Sequence, residues 1–96
     1  MPALHRKGDI GSGHGCYTPR PNIQGSPNVF TNNISNHRVG DAWAVHCCPG
    51  NGCHDGTMAE GSPNVFTNNK AQARIGDDVD CGSVAAQGSP NVFVNS

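Results

Sequence analysis

One hexapeptide, Gly-Ser-Pro-Asn-Val-Phe, occurs three times in this chain, beginning at Gly25, Gly61 and Gly88. A second signature precedes each copy: His5-Arg6-Lys7-Gly8-Asp9, His37-Arg38-Val39-Gly40-Asp41 and Ala73-Arg74-Ile75-Gly76-Asp77. Together they define three units, about 5–33, 37–69 and 73–96, of one domain spanning 1–96. The repeated glycines are 36 and then 27 residues apart, so insertions of different length sit between rigid elements. A unit this short cannot bury a face alone. Three units closed around a pseudo-threefold axis need no terminal caps, which an open stack would. Closure is therefore the expected arrangement.

The local chemistry of each unit favours strands. The chain holds 13 Gly and 7 Pro, which penalise helix interiors, and no window shows a helical period. Each Ser-Pro-Asn-Val-Phe string reads as a short strand entered through a turn, with Pro where a missing N–H costs least. Val29-Phe30, Val65-Phe66 and Val92-Phe93 are adjacent pairs, so in a strand one member faces inward and the other faces a partner. Asn32-Asn33 and Asn68-Asn69 suit tight turns, because Asn tolerates positive φ. Each Gly-Asp should turn the chain again, its carboxylate accepting local N–H bonds in an Asx-turn. Arg6, Arg38 and Arg74 recur at one position and should pair with a carboxylate or carbonyls inside the fold. Trp43 fits either a core plug or a contact residue, and His5 and His37 read as structural or surface side chains.

A hydrophobic fraction of 34% over 96 residues makes a thin core, so something besides apolar burial must hold the fold. The loops after the Gly-Asp pairs supply a candidate. His14 and His46 each lie five residues after their aspartate, Cys81 lies four after Asp77, and the second loop adds Cys53-His54. If the units meet about an axis these donors converge, and His14, His46, His54 and Cys81 would make a tetrahedral zinc site. Four protein ligands leave no open position, so the ion would be structural. Cys16, Cys47, Cys48 and Cys53 compete as donors. Five cysteines leave at least one thiol unpaired, and a disulfide from Cys16 to a second-loop cysteine is the competing, less favoured use of these sulfurs.

A net charge of −1 with scattered Lys and Arg gives no footprint for nucleic acid. No apolar run is long enough to span a bilayer. The N-terminus has no apolar signal region, so synthesis in a host cytoplasm without a signal peptide is expected.

Arg-x-Gly-Asp followed by His or Cys, then Gly-Ser-Pro-x-Val, resembles the PAAR-repeat family of contractile-system spike tips across essentially the whole chain. The name-giving Pro-Ala-Ala-Arg string is degenerate here, replaced by Asn36-His37-Arg38 and Gln72-Ala73-Arg74. The extended segments His14-Gly15-Cys16 and His46-Cys47-Cys48-Pro49 resemble the phage tail-spike branch. The resemblance implies a mainly β, conical domain with one structural zinc ion near its apex, held by His14, His46, His54 and Cys81, iron being the other candidate ion. It implies a base seated on a trimeric β-helical spike, one cap per trimer, through Val29, Phe30, Val65, Phe66, Val92 and Phe93. It also implies a place at the virion's baseplate tip, transient contact with an outer membrane, and no enzymatic activity. An adaptor recruiting a separate effector is the alternative. A small zinc hydrolase is a further one, with Glu60 or Asp55 as its base.

Overall fold

The structure, a computed structural model, describes residues 1–94, so the last two positions of the third unit lie outside the described residues. Each Arg-x-Gly-Asp segment turns sharply because its glycine takes a left-handed conformation. Gly8, Gly40 and Gly76 have φ of 88, 93 and 92°, where a side chain would be strained. The aspartate N–H closes each turn on the arginine carbonyl, at 3.0, 3.0 and 3.1 Å. Each carboxylate then reaches back and accepts the arginine N–H at 2.9 Å, so its partner lies upstream rather than in a forward Asx-turn. The guanidinium forks onto the same carboxylate at 2.9, 2.8 and 2.8 Å, as its five-donor geometry favours. Arg6 also donates to the Gly88 carbonyl and Arg74 to that of Gly61, so the fork ties neighbouring units together. Burial works against ionising Asp41, yet the Arg38 hydrogen bonds and charge hold its pKa below the ordinary value.

The Ser-Pro-Asn-Val strings are bends rather than strands. Ser26 Oγ accepts the N–H of Asn28 and Val29, and Ser62 and Ser89 repeat this in their units. Strands begin only at the phenylalanine. β1 (Phe30–Thr31) pairs with β2 (Ile34–Ser35), and later in the chain β5 (Phe66–Thr67) pairs with β6 (Lys70–Ala71). Asn32, Asn33, Asn68 and Asn69 form the connecting turns at φ between 55 and 65°. That twist suits two-residue hairpins.

This late start changes which residue points inward. Phe30, Phe66 and Phe93 are 57, 59 and 51% exposed, while Val29 and Val92 are 37% exposed. Val65 is half-buried. The inward position is the one after each phenylalanine: Thr31, Thr67 and Val94 are buried. The two threonine hydroxyls donate to Asn36 Oδ1 and Gln72 Oε1, both at 2.7 Å.

Three matched positions of the repeated signature share a closed ring of backbone hydrogen bonds. His5 N–H donates to Ala73 O, Ala73 N–H to His37 O, and His37 N–H to His5 O, at 3.0 to 3.2 Å. The Nε2 of the fully buried Gln72 lies 2.9 to 3.2 Å from all three of these carbonyls, which share its two N–H donors. The apolar core lies to one side: Trp43, Met58, Ala73, Val79 and Ala85. Trp43 is thus a core residue, stacked on His5 with centroids 5.2 Å apart and meeting His37 edge-on at 5.5 Å. His5 and His37 are both fully buried.

The second insertion is not a loop. β3 (Ala42–Cys48) and β4 (Gly52–Thr57) make the longest described strand pair, turned through Gly50 and Gly52 at φ 84 and 82°. Its register slips between Trp43 and His46, where Trp43 faces Gly56 but His46 faces His54. Without that bulge, alternation would put Trp43 and His46 on opposite faces; with it, both are buried. Among the described residues no helix forms, and the chain measures 39 × 25 × 21 Å.

Candidate metal centre

Directly opposed residues on an antiparallel pair share a face, so the register that sets His46 against His54 aims both rings the same way. The first unit supplies His14 from a tight turn. His14 N–H donates to Tyr17 O at 3.1 Å and Tyr17 N–H returns to His14 O at 2.8 Å. The third unit supplies Cys81 from a turn closed by Gly82 N–H on Val79 O, with Gly82 at φ 105°. Asp80 fastens that turn to β4 by accepting the Thr57 N–H and hydroxyl, both at 2.9 Å. Gly56 leaves the room it needs, since a Cβ there would lie 3.2 Å from Cys81 Sγ.

The result is one cluster. Donor atoms of His14, His46, His54 and Cys81 all lie within 4.8 Å of one another. The Nε2 atoms are 3.2 Å (His14–His46), 3.1 Å (His14–His54) and 2.7 Å (His46–His54) apart. A tetrahedral zinc ion with Zn–N of ~2.0–2.1 Å needs nitrogens about 3.3 Å apart. The chemistry of the donors also calls for a cation. His46 Nδ1–H donates to Thr18 O at 2.9 Å, which leaves its Nε2 a bare lone pair directed at the Nε2 atoms of His14 and His54. Desolvation first, then the His46 and His54 rings, lowers the pKa of His14 and favours its neutral form, the one that can bind a metal. Three imidazoles and a thiol suit zinc, and other borderline transition ions can use the same set.

The other cysteines are not ligands. Cys47 and Cys53 oppose each other on β3 and β4, on the face away from the histidines, and form a disulfide. Cys48 lies on the histidine face and is bonded to Cys16. By sequence these four compete as donors, with metal favoured over disulfides. In the folded chain all four are paired in disulfides instead, and because adjacent Cys47 and Cys48 face opposite ways on a strand, each meets a different partner. Cys81 is the free cysteine. Asp55 is exposed on β4, and Glu60 accepts the Asp78 N–H at 3.2 Å.

One residue at the centre carries no signal in the sequence. The Tyr17 ring lies 4.8, 5.0 and 4.3 Å from the rings of His14, His46 and His54, with its hydroxyl donating to Asn51 O at 3.2 Å. No repeat of a tyrosine marks it.

Among known families, the model described as PAAR motif matches residues 8–87. The chain belongs to the PAAR motif family. A search of curated proteins finds no match. PAAR proteins form a structural spike-tip family, so membership is consistent with a spike tip of a contractile injection or type VI system.

Proposed function

We propose that this PAAR chain, as a single domain of residues 1–96, caps the trimeric β-helical central spike of a contractile phage tail. Its cone has pseudo-threefold symmetry, and the observation carrying this reading is the ring of hydrogen bonds His5–Ala73–His37 that closes the three units. A cap with three similar faces matches three identical spike chains. The exposed phenylalanines 30, 66 and 93, with the less exposed Val29, Val65 and Val92, form the base, one set per spike chain. Covering the spike's open strand ends also protects them from non-specific pairing.

One zinc ion bound by His14, His46, His54 and Cys81 would cross-link all three units near the apex. Its contribution is structural: ligation adds folding free energy and resists local opening under load. The sheath drives the spike forward, the narrow end concentrates force on the outer membrane, and no bond in the target is broken. The place of the protein is then the tip of the virion's baseplate. A tip of a related secretion system, with or without a separately encoded effector, is the same mechanical part in another machine.

Co-expression with the trimeric spike protein of the same genome tests the reading, by mass and metal content of what co-purifies. One chain and one zinc per trimer are expected, and replacing Phe30, Phe66 and Phe93 together by Ser should abolish co-purification while the protein stays folded. Zinc-loaded, folded protein that never binds a spike would refute the cap.

A further inference from the structure

The His14–Tyr17 turn carries both a candidate ligand and the aromatic ring that covers the cluster. Its flanks are anchored on either side. Ser12 N–H donates to Val84 O at 2.9 Å and Gly13 N–H to Ser83 Oγ at 2.8 Å, while Thr18 O accepts from His46. Gly13 and Gly15 take φ of 74 and 55°, which glycine adopts freely, and Gly15 at the tip has open space around it. Across this stretch the turn is fastened to β3–β4 by the Tyr17 hydroxyl on Asn51 O, by ring packing, and by the Cys16–Cys48 disulfide. The disulfide is the one covalent tie. Cys48 is buried at 2% exposure, whereas Cys16 is exposed on the outer side of the turn, within reach of a small thiol or disulfide.

We propose that the Cys16–Cys48 disulfide is a redox latch on the metal centre, holding His14 and the Tyr17 lid shut so that the ion exchanges slowly. This rests on the metal reading above. In the dithiol form the turn can swing on its glycines, lifting His14 from the ion and uncovering the other donors, so metal loads and leaves readily. Closing the latch is thiol–disulfide exchange with a low-molecular-weight disulfide. The Cys16 thiolate attacks it and expels one thiol, and Cys48 then attacks the mixed disulfide and expels the second. Two protein thiols are oxidised, the small disulfide is reduced to two thiols, and the protons pass to the expelled thiolates. The Cys47–Cys53 bond lies on the opposite face of the hairpin and plays no part in the lid. Linkage makes the effect reciprocal: if the disulfide tightens metal binding, bound metal makes the disulfide harder to reduce by the same factor.

The test uses the full chain carrying Cys47→Ser and Cys53→Ser, so that one disulfide remains. It is loaded with zinc, and release to a chromophoric chelator is timed before and after treatment with a phosphine reductant. Cobalt(II) spectra report whether a thiolate and three imidazoles bind. Release about tenfold faster or more after reduction is expected, the scale on which groups orienting ligands act. Adding Cys16→Ser should give the fast rate with no response to reductant, and in the parent Cys47→Ser, Cys53→Ser protein zinc should slow reduction of Cys16–Cys48 as read by thiol alkylation and mass. Equal release rates in the two redox states, with unchanged cobalt spectra, overturn the latch and leave the metal centre standing. Failure to take up zinc or cobalt in either state overturns both.

Discussion

His37 offers a direct test of how the buried centre depends on pH. Burial is the main cause that pushes its pKa from the ordinary 6.5 down to about 4, against a partly offsetting bond from Nδ1–H to Gln24 O at 2.7 Å. Its Nε2 is buried with no protein partner, so a proton added there would place a charge in a dry site. At neutral pH the ring is therefore neutral, and its 4.0 Å approach to Asp41 is not an ion pair. The unfolded chain takes up this proton as pH falls through 6.5, whereas the folded chain does so only near 4. Stability from this residue is thus complete above 6.5, falls between 6.5 and 4, and is lost below. At pH 5 the loss is about 2 kcal/mol, from 1.36 kcal/mol for each pH unit below 6.5. The assay compares urea unfolding of the wild type and His37→Ala, the residue the third unit carries at Ala73, from pH 7.5 to 5 by tryptophan fluorescence. Groups that are the same in both proteins cancel in the difference. His37→Ala should be destabilising at pH 7.5 and less so by about 2 kcal/mol at pH 5. Parallel curves for the two proteins would refute the reasoning.

Three further outcomes follow from the geometry. Asp41→Asn leaves Arg38 buried without its counter-charge and should cost about 3 kcal/mol in urea unfolding at pH 7. Asn33→Val places a β-branched residue at φ 64° and should cost about 1–2 kcal/mol, with Asn33→Gly close to neutral in the same assay. Gly56→Ala puts a methyl 3.2 Å from Cys81 Sγ and 3.0 Å from Asp80 Oδ1, and should weaken zinc affinity about tenfold in chelator competition.

The repeat made much of the architecture legible. A glycine followed by aspartate at three matched positions specifies three sharp turns, and three arginines at one offset specify their partners, because both depend on contacts within four residues. The Asn-Asn turns are local in the same way. The clustering of candidate donors was legible for a related reason: matched positions in repeated segments come together in the fold, and residue spacing points to His14, His46 and Cys81. His54 was legible only as a companion in the longest insertion.

What the tertiary structure decided is a matter of parity and distance. Whether Val29, Phe30 or Thr31 faces inward depends on the residue at which a two-residue strand begins, and a hydroxyl closing the preceding bend set that point. Whether Trp43 and His46 share a face depends on one bulge, which no residue pattern on β3 announces. Once that register exists, Cys47 must meet Cys53 on one face while Cys48 turns to Cys16 on the other. Tyr17 covers the histidines only because that turn folds across the hairpin. Sequence determines contacts that a few bonds can reach. Pairings that depend on counting residues around a bulge, or on closing three units about a centre, exist only when the whole chain is in place.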